Sequence, residues 1–384
     1  MPYFWYRLHS VQSHNPSTDP GALIMSKLRI HPLVRFPALT ALVLAGFCTL
    51  CPTPSQARTI HLIETGSTLL YPLFNLWVPT YTSSHPGVQI TTEATGSGTG
   101  IAQASADLVQ LGASDAYLSP ALQHLHPGLL NIPLAISSQM VNYNLPGLNN
   151  RPLHLSGPVL AAIYAGQIRY WNAPAIRALN PGLPLPHHLI LPIHRSDGSG
   201  DTFIFTQYLS FSTPAWMKTT GYGTTVSWPS VRGEIGATGN PGMVQALATN
   251  PYAIAYIGVS YRSAILKDRL GQAWLKNRAG QFVFLTRSTV EAAVASRAPH
   301  TPPDQSISLV FAPGANAYPI INYEYTIVKK HQASRHMARA VREFLDWAIS
   351  ASGGNAPAFL NRVGFAPLPQ LAILQSRRQI AEIH

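Results

Sequence analysis

From Thr59 onward the chain alternates short β-like apolar runs with helical ones, a pattern that only an α/β architecture accommodates. Thr59 to Ile63 and Val88 to Thr92 read as strands, Leu69 to Tyr81 as a helix, and a second helix follows Gly100. The first helix spaces Leu70, Leu73, Phe74, Trp77 and Tyr81 by three and four, so one face is buried, with Pro72 tolerated close to its start. Near the C-terminus, Met337, Val341, Phe344, Leu345 and Ala348 form a similar stripe over residues 334–349, read as core. Leu145 to Pro152 and Asn180 to Pro186 are Pro- and Gly-rich and read as loops. At 384 residues the chain exceeds what one core usually supports, so two lobes are expected.

Three of the junctions between strand and helix share a composition. They are Thr65-Gly66-Ser67-Thr68, Gly96-Ser97-Gly98-Thr99-Gly100 and Asp197-Gly198-Ser199-Gly200-Asp201. The first N–H groups of a helix lack intrahelical partners, and glycine lets an anion approach the main chain. Each turn alone is more often a simple N-cap. Three together, with their hydroxyls, suit the surrounding of a tetrahedral anion. Asp115 and Arg195 lie near them. A carboxylate beside an anion is repulsive unless the anion carries a proton for it to accept, which phosphate does at neutral pH and sulfate does not; Asp115 is therefore a candidate selectivity filter or else a cap or surface acid. Arg195 can grip oxyanions bidentately, pair with Asp197, or do both.

Other chemistries find less support. Ile101 stands where a dinucleotide fingerprint needs a third glycine, and no Gly-Lys-Ser/Thr ending marks a P-loop. No G-x-S-x-G elbow surrounds Ser67, Ser97 or Ser199, and no activating base is visible for a secreted phosphatase, the alternative from another class. His124, His126, His187 and His188 lack metal-ligand spacing, so no metal and no cofactor is expected. The formal charge of +11 is spread along the chain rather than clustered, which argues against nucleic acid. Only 11% of residues are charged against 46% apolar, a globular balance.

Ala38 to Leu50 is too short to span a bilayer and fits the apolar region of a signal peptide, preceded by Lys27, Arg29 and Arg35 and followed by Ser55-Gln56-Ala57. Residues 1–57 are expected to be an upstream extension and signal peptide, with the mature start near Arg58. Cys48 and Cys51 would be lost with it, and Phe47 and Leu50 before them disfavour a lipid anchor.

The segments Glu64-Thr65-Gly66-Ser67-Thr68-Leu69-Leu70-Tyr71-Pro72, Gly96 to Ile101, Gly112-Ala113-Ser114-Asp115 and Arg195 to Gly200 resemble the phosphate-binding subunit of the high-affinity phosphate ABC transporter. Gly223 to Val226, Ala255 to Gly258 and Tyr318 to Tyr323 extend the resemblance, which is greatest to the mycobacterial-type branch, whose third loop shares the run from Arg195 to Asp201. It implies a type II periplasmic binding fold, with lobe I over residues 58–143 and 321–384, lobe II over 144–320, and the chain crossing the hinge twice. It further implies a monomeric, non-enzymatic periplasmic receptor that hands inorganic phosphate to an inner-membrane ABC permease. Sulfate or molybdate is the alternative ligand. Carried over by position, phosphate is held by Thr68, the Leu69 N–H, Ser97, Asp115, Arg195, Ser199, the Gly200 N–H and Asp201. Asp201 stands where the enterobacterial pattern has Thr; two ionised carboxylates at the anion would favour the phosphate monoanion.

Overall fold

The longest strand, Leu129–Tyr143, is buried at every one of its 15 positions, as its run of Leu, Ile, Val and small residues requires of a strand covered on both faces. The structure, a computed structural model, describes residues 59–384; the expected signal peptide, its two cysteines and the expected mature start lie outside the described residues. In chain order the strands are β1 (Ile60–Gly66), β2 (Val88–Glu93), β3 (Leu111–Ser114), β4 (Leu129–Tyr143), β5 (His154–Leu155) and β6 (Leu191–Arg195). There follow β7 (Ile235–Ala237), β8 (Ala253–Gly258), β9 (Gly271–Gln272), β10 (Trp274–Lys276), β11 (Phe282–Val283) and β12 (Ile321–Lys329). Among the described residues, a large sheet runs in the order β2-β1-β3-β12-β4-β8-β6-β7, with β9 also on β4, and a small one joins β11, β10 and β5.

β4 changes partner part-way. From Leu129 to Ser138 it pairs antiparallel with β12, and from Gln139 to Tyr143 it pairs with β8. On one side of that handover β1, β2 and β3 are mutually parallel; on the other β6, β7 and β8 are. The β12–β4 ladder shifts register between Glu324 and Tyr325, opposite Ala135 and Pro133. Pro133 has no N–H to donate, and a bulge is where a central ladder tolerates that loss. The carbonyl of the skipped residue, Leu134, is taken by the Asn355 side chain at 2.5 Å.

The first helix is Tyr71–Ser84, two residues later at its start than the sequence spacing suggests. Ser67 Oγ accepts from the N–H groups of Leu69 and Leu70 at 3.1 and 3.0 Å and holds them in a turn before the helix. The second helix, Ser97–Ser105, starts earlier than expected because Gly96, at φ +94°, makes the turn alone and the other glycines wind into the helix. The stripe on the late helix, Arg335–Ala348, is core as expected: Val341, Phe344, Leu345 and Ala348 are buried, and Met337 is partly so. Phe344 meets Tyr81 edge to face at 5.1 Å between centroids, which locks this helix to the first.

Candidate anion-binding site

All three glycine-hydroxyl turns lie at the carboxyl ends of parallel strands, where ligands gather in open α/β sheets. β1 ends in Gly66 and leads to Ser67; β2 leads to Gly96; β6 ends in Arg195 and leads through Gly198 to the helix Gly200–Ser212. Two glycines are obligatory for this convergence. A side chain on Gly66, at φ +139°, would overlap the backbone of Ala113 in β3, and one on Gly200 would overlap Asp115 and Ser97. The second and third turns touch directly, with the Gly98 N–H donating to the Gly198 carbonyl at 2.9 Å.

Arg195 is the only cation of the cluster among the described residues, and its side chain is 1% exposed. Its Nε donates to Asp197 Oδ1 at 2.7 Å and its Nη2 to Asp197 Oδ2, a two-point clasp. Its Nη1 reaches Asp201 Oδ2 at 3.0 Å and Thr68 Oγ1 at 3.3 Å. Burial works against charge here, but the paired Arg195 holds Asp197 below the usual carboxylate range, and Asp197 together with Asp201 raises Arg195 in turn. Thr68 Oγ1 also accepts from the N–H and Nδ2 of Asn240, at 3.1 and 2.9 Å. Both oxygens of Asp201 are already engaged: Oδ2 by Arg195 and by Asn240 Nδ2 at 2.5 Å, Oδ1 by Gln139 Nε2 at 3.0 Å. Burial, with nearby Asp115 adding and Arg195 opposing, pushes the Asp201 carboxyl up to about 7.

Asp115 follows β3 directly and is fully buried rather than a surface acid or a cap. Its Oδ1 accepts from the Ser67 hydroxyl, and its N–H donates to Ser97 Oγ at 3.1 Å. Burial pushes its carboxyl up, opposed by hydrogen bonds from Glu324 and Ser67, by the charge of Arg195 and by Ser97. Ser199 caps its helix by accepting from the Thr202 N–H at 3.2 Å, so the bland reading holds for it while its own hydroxyl proton stays available. The main-chain N–H groups of Thr68, Ser97 and Gly200 make no hydrogen bond within the described residues. The Leu69 N–H is taken by Ser67.

The structure therefore brings Thr68, Leu69, Ser97, Asp115, Arg195, Ser199, Gly200 and Asp201 into one buried cluster holding one guanidinium, free N–H groups and a carboxylate acceptor. Such a set can bind a small oxyanion that itself carries a proton. Sequence reasoning missed Asn240, Gln139 and Glu324. Asn240 had a signal, since Thr238-Gly239-Asn240 is a fourth glycine turn after a strand, β7. Gln139 and Glu324 had none, because they lie inside buried strands and reach the site only through the pairing of β4 and β12. The paired histidines have packing partners instead: His187 stacks on Tyr170 and His188 on Tyr252.

A family model described as a PBP superfamily domain matches residues 52–352. The phosphate-binding protein PstS of Methanocaldococcus jannaschii is 34% identical over 333 residues, covering 82% of this chain and 84% of that protein. The chain belongs to the PstS phosphate-binding protein family. Among solved structures, a high-affinity periplasmic phosphate-binding protein bound with phosphate, PfluDING, superposes with a TM-score of 0.65 at 23% identity, over 83% of this chain and 93% of that one. The PstS-family chain thus has the two-lobed type II periplasmic binding fold, crossed twice by the chain between its lobes. The mycobacterial-type branch is not the most similar of these relatives, however. PstS 3 of Mycobacterium leprae is 30% identical, covering 79% of this chain and 82% of its own, below the archaeal PstS protein.

Proposed function

We propose that this protein binds inorganic phosphate in the cleft between its lobes and delivers it to an ABC-type import permease in the inner membrane. The observation that carries the reading is the convergence of three glycine-hydroxyl turns on one buried arginine and one buried aspartate whose N–H goes to Ser97. Free N–H groups of Thr68, Ser97 and Gly200, the hydroxyls of Thr68, Ser97 and Ser199, and Arg195 donate to the anion; Asp115 accepts its proton. Sulfate and molybdate, fully deprotonated, have nothing to offer Asp115. Leu69 and Asp201 act behind the ligand, Leu69 fixing Ser67 and Asp201 aiming Arg195.

The lobes divide where β4 changes partner: residues 59–138 with 321–384 form one, 139–320 the other, so the first crossing lies five residues before the Tyr143 boundary read from sequence. The protein works as a monomeric periplasmic receptor exported by the segment before Arg58, and it is not an enzyme. No helix among the described residues is long and apolar enough to cross a membrane. Melting curves with phosphate, sulfate and molybdate test the reading: at a hundredfold excess over Kd, phosphate should add about 2.7 kcal/mol of stability. A melt moved by sulfate and not by phosphate, or phosphatase turnover with added divalent metal, would overturn it.

A further inference from the structure

One ionisable group beside Asp115 has no part in the scheme above. Glu324 lies in β12, whose Tyr325 pairs with Ser114, so the next step of the ladder puts Glu324 beside Asp115. It is 0% exposed. Its Oε1 accepts from the Ser137 hydroxyl, and its Oε2 is buried with no donor facing it. The same strand grips the Asp115 backbone, since Asn322 Nδ2 donates to the Asp115 carbonyl. Two carboxyl groups this close and this deeply buried do not both ionise. An oxygen without a donor is satisfied if it carries a proton, and the acceptor beside it is Asp115.

We propose that Asp115 and Glu324 act as one acid pair holding a single proton, in which Glu324 donates to Asp115 and keeps it ionised as the acceptor for the proton on the anion. The remaining charges facing the pair come from the opposite lobe: Arg195 at the end of β6 and Asp201 at the start of its helix. Burial, with Asp115 adding, pushes the Glu324 carboxyl far up, in keeping with that assignment of the proton. Glu324 is thus a positioning residue for selectivity. Without its proton Asp115 would lose its strongest side-chain donor; with the proton moved onto Asp115, the site would offer phosphate a donor where it needs an acceptor.

The inference rests on the phosphate reading for its consequence but not for its first test. Infrared difference spectra of ligand-free wild type against Glu324→Gln, at neutral pH, should show a carboxylic-acid C=O band present only in wild type. Absence of that band overturns the pair whether or not phosphate binds. In phosphate titrations, Glu324→Gln, which keeps a donor to Asp115, should bind within a fewfold of wild type and still reject sulfate. Glu324→Leu, which removes the donor, should lose roughly tenfold or more in affinity, and its affinity should decline at a higher pH than wild type's as the solution is acidified. A folded Leu variant with wild-type affinity and a parallel pH profile, or a Gln variant as impaired as the Leu one, overturns the proposal. Failure of wild type to bind phosphate at all overturns the phosphate reading alone.

Discussion

Asp115 and Asp201 are buried aspartates of the same cluster, contributed by opposite walls of the cleft, and they differ in what surrounds them. Asp201 is surrounded by donors: Arg195, Asn240 and Gln139 occupy both of its oxygens. Asp115 has Ser67 on one oxygen and otherwise a second acid, Glu324, for a neighbour. A carboxylate that already accepts three donors from the protein, one short of the roughly four it can take, has little capacity left for a ligand proton; Asp115, held by the Ser67 hydroxyl and Glu324, has more. In the proposed binding scheme the wall built on β6 and β7 therefore supplies an aimed positive charge, and the wall built on β1 and β3 the acceptor for the ligand's proton. The sequence leaves open whether Asp201 joins Asp115 at the anion; the donors around Asp201 favour a role behind Arg195.

The largest effect should come from removing the charge that the second wall aims. Arg195→Ala leaves Asp197 and Asp201 without their cation, so a loss of about 3–5 kcal/mol in folding stability is expected, together with loss of phosphate binding. Chemical denaturation and calorimetry of the same sample check both. A variant that still bound phosphate tightly would remove the distinction between the walls.

Asp115→Asn acts on the acceptor wall. The amide can donate to an unprotonated oxygen, so phosphate affinity should fall by about 1.5–3 kcal/mol while sulfate begins to compete. Competition titrations read this directly, and an Asn variant that rejects sulfate like wild type would move selectivity elsewhere. Ser199→Ala should weaken phosphate by a similar 1.5–3 kcal/mol at most and, because Ser199 also caps its helix, reduce stability by about 1 kcal/mol. Binding unchanged with stability reduced would leave Ser199 as a cap alone.

The smallest effect belongs to Asp201. Its folded-state value of about 7 lies above the unfolded value of about 4. The folded protein then holds more protons across that interval, so the contribution of Asp201 to stability is most favourable below about 4 and declines as pH rises towards 7. Ligand-free Asp201→Asn should show a flatter dependence of melting temperature on pH than wild type over this range. Parallel curves would mean that Arg195 keeps Asp201 ionised throughout.

Much of this was legible in the residues because the turns are local. Gly66, Gly96 and Gly200 each announce a tight strand-to-helix passage, and the Arg195–Asp197 pair spans only two residues. Helix starts were displaced because a hydroxyl acts on neighbours that periodicity cannot see: Ser67 withholds Leu69 and Leu70 from the first helix. The handover in β4 and the approach of Glu324 to Asp115 depend on which strands pair, a nonlocal outcome with no short-range signature. Glu324 sits one residue beyond the Tyr318 to Tyr323 stretch that extended the family resemblance, inside a strand buried along nearly its whole length.

The central claim is that a buried acceptor, Asp115, selects an oxyanion by the proton it carries. Calorimetric titration of the wild-type protein with phosphate and with sulfate at neutral pH tests it most directly. One phosphate bound per chain with no heat from sulfate is the predicted result; equal binding of the two anions, or binding of sulfate alone, would contradict it.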